Sequence, residues 1–190
     1  MGEYQEPVIV LGPPRSGTSA VARVLHENMG IFMGFDLKKS IDITPDGSYE
    51  SEEIHRINSL LIEAHCNHTY WGEGLVAYTK RMYELKSPWG LKDPKFAHPI
   101  VLGPLVTYFA APVFVRCHRT REQTVKSCTA AFGTKKSQGE SMYHFRNTSM
   151  DKILPNNMTI FMDMSERATD TEIEERIKAG GDSVVAWDVG

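Results

Sequence analysis

Blocks of apolar and polar residues along this chain predict strands that alternate with helices. The run PVIVL over residues 7–11 is short and wholly apolar, which is typical of a buried strand. After Gly17, apolar residues recur three and four positions apart, and this spacing predicts a helix directly behind the strand. The apolar run over 111–118 repeats the pattern and leads into a predicted helix over 120–132.

The rest of the chain has weaker periodicity but fits the same alternation. The further predicted elements are a loop over 30–49, a helix from near Glu50, a short strand over 89–94, a helical segment over 97–109 interrupted at Gly103 and Pro104, a loop over 133–149, a strand over 158–162 and a helix over 171–179. Strands that alternate with helices are typical of an α/β protein. We therefore predict an α/β fold with a mainly parallel central sheet flanked by helices.

Length, composition and charge favour a single globular domain over residues 1–190. Hydrophobic residues make up 41% of the chain and charged residues 24%, which suffices for one ordinary core. The net charge of −3 argues against a general nucleic-acid binder. Three cysteines without metal-like spacing favour a reducing compartment, and the N-terminus lacks the features of a signal peptide. Since no apolar run is long enough to span a bilayer, we expect a cytoplasmic protein without a membrane partner.

The segment GPPRSGTS over residues 12–19 nearly matches the phosphate-binding P-loop and predicts a P-loop-like fold. A strand, a glycine-rich turn and a helix start direct several backbone N–H groups to one point, where the helix dipole also favours an anion. Thr18 stands where the P-loop has its lysine, and Arg15 is the cation of the loop. A plain turn between strand and helix needs neither this cation nor the hydroxyls of Thr18 and Ser19, so we predict an anion site.

Two features argue against an ATPase or GTPase. The missing lysine is the residue that normally contacts the terminal phosphates. No convincing apolar strand ends in a magnesium-binding aspartate, because the strand over 111–118 leads into Arg119, and Asp93 is a poor substitute. We therefore expect protein cations, and no metal, to hold the anion. A P-loop nucleotide kinase or NTPase remains the enzymatic alternative.

Three segments, in order, resemble the sulfotransferases that use 3′-phosphoadenosine 5′-phosphosulfate (PAPS). VIVLGPPRSGTSAVARVL resembles their 5′-phosphosulfate loop, in particular that of the Pro-Arg-Ser-Gly-Thr branch with bacterial and tyrosylprotein sulfotransferases. GLKDPKF resembles their Lys-Asp-Pro segment, and PVFVRCHRTREQTVKS their 3′-phosphate-binding strand and helix. TPDGSYESEEIHRIN also resembles a Gly-aromatic-Glu segment of bacterial members. The resemblance spans roughly residues 7–130 and implies metal-independent transfer of a sulfuryl group from PAPS.

The resemblance also implies roles for individual residues. It assigns the 5′-phosphosulfate to Pro14, Arg15, Ser16, Gly17, Thr18 and Ser19, and the 3′-phosphate to Arg119 and Ser127. Arg15 and Lys92 would act at the transferring sulfuryl group. Two carboxylates compete as the general base: Asp36, placed after the loop like the catalytic glutamate of the tyrosylprotein enzymes, and Glu50 in the Gly-aromatic-Glu segment. His98 and His144 are further options for the base.

Several alternatives stay open at this point. No clear copy of the C-terminal glycine-rich loop that covers the nucleotide in many sulfotransferases is present, although residues 179–190 offer a replacement. A non-catalytic nucleotide-binding module is therefore a second alternative. The basic residues near 116–126 are equally consistent with a solvated surface when read locally. The expected partner is a small-molecule, glycan or peptide hydroxyl, with an amine as second choice. Variable loops such as 36–50 and 133–149 build acceptor pockets, so local sequence does not specify the acceptor further.

Overall fold

The computed structural model describes residues 7–34, 37, 47–67, 88–109 and 111–181. The strands in these ranges are β1 (Val8–Leu11), β2 (Gly90–Lys92), β3 (Val113–His118) and β4 (Thr159–Asp163). The α-helices are α1 (Thr18–Glu27), α2 (Glu52–Cys66), α3 (Pro99–Tyr108), α4 (Arg121–Phe132), α5 (Lys136–Ile153) and α6 (Asp170–Gly181). Short 3-10 helices cover Pro94–Ala97 and Asn156–Met158. Within the described ranges, no helix is both long and apolar enough to cross a membrane.

The strands form one four-stranded sheet in the order β2-β1-β3-β4, and every adjacent pair in it is parallel. In the centre of the sheet, Ile9 is paired with Leu91 of β2 on one side and with Phe114 of β3 on the other. Helices flank the sheet, so the predicted α/β fold with a mainly parallel sheet is confirmed.

Side chains of β1 alternate between two buried clusters, one on each face of the sheet. Val8 and Val10 pack with apolar residues of α1 and α6, whereas Ile9 and Leu11 pack with apolar residues of α2, α3 and α5. Each fully buried aliphatic side chain of this kind stabilises the fold by about 1.5–3 kcal/mol. Because both faces are covered, the strand is apolar at every position, as a buried parallel strand requires.

The predicted loop over 133–149 is wrong, since most of this segment belongs to helix α5. The amide of Lys135 donates to the Gln138 side chain at 3.0 Å, which closes the start of the helix. Few of its residues are buried, and these include Gly139, Ser149 and Met150. The helix therefore lacks the apolar stripe from which the sequence pattern would identify it.

The predicted interruption at Gly103 and Pro104 is also wrong, because α3 continues through both residues. A proline inside a helix removes one hydrogen bond and destabilises the helix locally. Val101, Leu102 and Leu105 flank this pair and are buried in the cluster beside α2 and α5. Their packing outweighs the local preference, as tertiary contacts often do.

Candidate functional site

The carboxyl ends of β1, β2 and β3 bring the predicted site segments to one edge of the sheet. Residues 12–17 follow β1, Lys92 ends β2, and Arg119 follows β3. The chain leaves β1 in the middle of the sheet, moves outward to β2 and then crosses to β3 on the other side. Ligands of α/β proteins bind in the crevice at such a reversal of strand order. The sheet topology therefore places the three segments where a ligand is expected.

Close packing forces an unusual backbone on the glycine-rich loop. Gly17 precedes α1 with φ 94°, and Arg15 has φ 69°, a left-handed conformation that costs a residue with a side chain about 1–2 kcal/mol. A Cβ atom added at Gly12 would lie 2.6 Å from the carbonyl oxygen of Cys117 on β3. The loop thus lies directly against β3, and only glycine fits at position 12.

Two buried donors near the loop have no hydrogen-bond partner among the described residues, namely Ser16 Oγ and Arg119 Nε. Buried polar groups in folded proteins are nearly always paired with protein or water. Both atoms donate hydrogen bonds, and both belong to segments at the same edge of the sheet. Each is a donor whose hydrogen-bonding capacity the described residues leave unused.

A side-chain contact joins the loop to helix α4. Arg15 Nε donates to Ser127 Oγ at 3.0 Å, and Cys128 Sγ lies 3.5 Å from the carbonyl oxygen of Pro14. Helix α4 begins immediately after Arg119, with Thr120 as its cap. Arg15, predicted for the 5′-phosphosulfate, and Ser127, predicted for the 3′-phosphate, are therefore in direct contact.

Lys92 lies between the start of α1 and a buried carboxylate. Its Nζ donates to Glu50 Oε1 at 2.5 Å and to Ser19 Oγ at 3.2 Å. Only 3% of Lys92 is exposed, and this burial lowers its pKa below the ordinary value, although Glu50 opposes the shift. The structure thus brings together three residues predicted for the site: Ser19, Glu50 and Lys92. Removing one charge of such a buried pair leaves the other uncompensated.

Asp93 is held by the protein on several sides. Its Oδ1 accepts from the Lys95 amide at 2.8 Å, its Oδ2 accepts from Asn58 Nδ2 at 3.0 Å, and His55 Nδ1 lies 3.3 Å from Oδ2. Burial alone would raise the pKa of Asp93, but His55, the Lys95 amide and Asn58 together hold it below the ordinary value. Asp93 therefore fixes the junction between β2, the following 3-10 helix and α2.

Sequence reasoning missed His55 and Asn58. Asn58 interrupts the apolar stripe of α2 between Ile54 and Leu61, and a fully buried asparagine in such a stripe was the available signal. His55 gave no comparable signal, because its partners Glu50 and Asp93 lie on two other segments.

The other candidates for the base have different outcomes. Asp36 lies outside the described residues, so its role stays a prediction. His98 caps α3, since its Nδ1 accepts from the Ile100 amide at 3.3 Å, and its ring lies against Phe145. His144 is exposed on α5. Among the candidates within the described residues, Glu50 contacts Lys92.

Replacing His98 with asparagine is expected to reduce the acid sensitivity of the fold. Burial, followed by the nearby charges of Arg146 and His65, lowers the pKa of His98 from 6.5 to about 4. Between these values the unfolded chain binds more protons than the folded chain, so stability falls as the pH decreases from 6.5 towards 4. Asparagine keeps the helix cap without titrating. Thermal unfolding across this window should show a smaller decrease in Tm for His98→Asn than for wild type, and equal decreases would contradict the assignment.

The basic residues near the end of β3 do not form one solvated face. Arg116 is buried, its Nη1 lies 2.6 Å from Asp151, and its guanidinium stacks over Phe161. Arg121 is exposed and pairs with Glu140 at 3.0 Å. Arg119, between them, carries the buried Nε without a partner among the described residues. The three arginines therefore have separate environments.

No protein-family model matches the sequence, and no curated protein matches it. Solved structures of similar fold include two sulfotransferase domains. The sulfotransferase domain from the Synechococcus PCC 7002 olefin synthase has a TM-score of 0.57 and 12% identity, over 98% of this chain and 80% of that chain. The sulfotransferase domain from the curacin biosynthetic pathway has a TM-score of 0.52 and 11% identity, over 97% of this chain and 72% of that chain. These likenesses show a sulfotransferase-like fold.

Proposed function

We propose that this protein is a PAPS-dependent sulfotransferase that acts on a hydroxyl acceptor, or as second choice an amine, without a metal. The observation that carries the proposal is the position of Lys92 Nζ, in contact with both Ser19 of the loop and Glu50. Two groups therefore lie beside the loop over residues 12–19. One is a cation that can stabilise charge on a transferring group, and the other is a carboxylate that can take a proton. A sulfotransferase-like fold supports the same reading.

The donor groups of the site suit the two anionic ends of PAPS. The loop from Pro14 to Ser19 offers backbone N–H groups at the start of α1, together with Ser16 Oγ. Arg119 follows strand β3 and Ser127 lies on helix α4, and Arg119 Nε and the Ser127 hydroxyl would together hold the 3′-phosphate. The guanidinium of Arg15 contacts the Ser127 hydroxyl through Nε and offers a forked set of donors.

When bound, PAPS supplies the sulfuryl group, whose bond to a 5′-phosphate oxygen breaks as the bond to the acceptor oxygen forms. Glu50 would take the proton that the acceptor hydroxyl loses, and Lys92 and Arg15 would stabilise charge on the peripheral oxygens. Asp36 remains the rival base. We further propose a cytoplasmic protein whose acceptor is a small molecule, a glycan or a peptide.

Adenosine 3′,5′-bisphosphate is expected to raise Tm in the presence of a chelator, and to raise it more than 5′-AMP does at the same concentration. The reason is that only the bisphosphate carries the group that Arg119 and Ser127 would bind. A ligand at about 100 times its Kd stabilises the folded state by about 2.7 kcal/mol. Thermal unfolding with each nucleotide measures the difference. Equal shifts would remove the 3′-phosphate assignment, and a strict requirement for magnesium would favour a kinase or NTPase.

Arg119→Ala is expected to weaken binding of this bisphosphate by about 1.5–3 kcal/mol, because a charge-assisted contact with the phosphate is lost. Arg121→Ala is the matched control, since its exposed pair with Glu140 should change binding by less than about 0.5 kcal/mol. Calorimetric titration of both variants measures the two effects. Similar affinities for the variants would restore the interpretation of a solvated basic surface.

A further inference from the structure

We infer that His55 is a positioning residue for the proposed transfer, in which the Nδ1 edge of its imidazole, facing both Glu50 and Asp93, keeps the Glu50 carboxylate against Lys92. The inference rests on the proposed function, because positioning matters only if Glu50 is the base. His55 lies on the first turn of α2, and Glu50 lies two residues before that helix. The two side chains therefore approach each other across the start of one helix.

The neighbours of the imidazole determine which nitrogen carries the proton. His55 Nε2 lies 2.9 Å from Lys95 Nζ, and an ammonium group only donates hydrogen bonds. Nε2 must therefore accept, and the proton of the neutral ring sits on Nδ1. Lys95 Nζ also donates to Ser59 Oγ at 2.5 Å, which keeps the ammonium in place.

The proton on Nδ1 faces two carboxylates. Nδ1 lies 3.3 Å from Asp93 Oδ2 and 3.6 Å from Glu50 Oε2, and because this buried atom has no partner in hydrogen-bond geometry among the described residues, both contacts are electrostatic. Asp93 is fully buried and is fixed by Asn58 and the Lys95 amide, so it acts as the anchor. The imidazole in turn faces one oxygen of Glu50, while the other oxygen accepts from Lys92. One oxygen of the proposed base is thus held by Lys92, and the other lies beside the imidazole, an arrangement similar to that of a base positioned by a third group.

Two amide substitutions of His55 distinguish a role in positioning Glu50 from a role in filling space. In His55→Asn the side-chain NH₂ reaches the place of Nδ1 and keeps a donor towards Asp93 and Glu50. In His55→Gln the NH₂ reaches the place of Nε2, beside Lys95, and the donor towards the carboxylates is lost. We expect kcat close to wild type for His55→Asn and a kcat lowered roughly 10- to 100-fold for His55→Gln. KM for PAPS and Kd for the bisphosphate should change little in both.

His65→Gln is the matched control, because His65 is exposed near the end of the same helix. If His55 had only a structural role, His55→Gln would lower Tm. It would not lower kcat while leaving the affinity for the bisphosphate unchanged. If His55→Gln keeps the kcat of wild type, or if His55→Asn loses as much as His55→Gln, the inference is wrong. Wild-type protein that transfers no sulfuryl group would instead contradict the proposed function itself, whatever the variants do.

A spectroscopic measurement tests the geometry independently of turnover. Long-range proton–nitrogen NMR of the wild-type protein should show the Nδ1–H tautomer at His55. The same signal should shift in Glu50→Gln and stay in place in Glu63→Gln, since Glu63 is exposed later on α2. The inference would be wrong, even for an active enzyme, if the proton were on Nε2. It would also be wrong if the His55 signal had the same position in wild type and in Glu50→Gln.

Discussion

Glu50→Gln is expected to lower turnover roughly 10²–10⁴-fold while the affinity for adenosine 3′,5′-bisphosphate stays nearly unchanged. Glutamine keeps the size of the side chain and still accepts a hydrogen bond from Lys92, but it takes no proton from an acceptor hydroxyl. The loss should therefore fall on kcat, because the bisphosphate lacks the group that reacts. Initial rates with labelled PAPS, together with calorimetric binding of the bisphosphate, measure both quantities.

Asp36→Asn belongs in the same assay, because Asp36 is the rival base. Glu52→Gln is the control, since this carboxylate is exposed in the first turn of α2. A large loss in Asp36→Asn with near-normal turnover in Glu50→Gln would move the proton transfer to Asp36. Near-normal turnover in both variants would discard both carboxylates and with them the proposed role of His55.

Lys92→Met should lower kcat roughly 10²–10³-fold, more than it weakens binding of the bisphosphate product. Methionine fills a similar volume but offers no charge to the sulfuryl oxygens. The variant also breaks the buried ion pair between Lys92 and Glu50, which should cost about 3–5 kcal/mol of folding stability. Urea unfolding measures this second effect separately from kinetics.

The double variant Lys92→Met with Glu50→Gln distinguishes charge pairing from catalysis. It should recover most of the stability lost in Lys92→Met, because a neutral pair in a buried site is far less costly than one stranded charge. Its turnover should be no higher than that of the less active of the two single variants. Recovery of turnover along with stability would mean that Lys92 supports the fold rather than the reaction.

The strand, loop and helix over residues 7–27 were predictable because every local signal agrees there. The apolar run is buried on both sides, and the glycine before α1 adopts the left-handed backbone that glycine favours. Helix α5 was missed because few of its residues are buried, so its sequence carries no apolar stripe. Contacts with distant segments, such as Asp151 with Arg116 and Arg146 with the carbonyl oxygen of Pro94, stabilise that helix instead.

Only part of the candidate site could be predicted from the sequence. Strand ends of a parallel sheet share one edge, so the sequence could place Lys92 and Arg119 near the loop. The contact between Arg15 and Ser127 joins residues 112 positions apart, and the contact between Glu50 and Lys92 joins residues 42 apart. Such contacts depend on how helices pack on the sheet, which local spacing does not determine. For the same reason, no local pattern indicated that His55 faces both Glu50 and Asp93.

The most direct test of the central claim is transfer of radioactive sulfur from labelled PAPS to a mixed set of hydroxyl and amine acceptors, in the presence of a chelator. The wild-type protein is predicted to move label onto at least one acceptor and to release adenosine 3′,5′-bisphosphate in equal amount. Glu50→Gln should abolish most of this transfer while still binding the bisphosphate. Tight bisphosphate binding without transfer to any acceptor would contradict the claim and identify a nucleotide-binding module, and magnesium-dependent transfer of phosphate from ATP would identify a kinase.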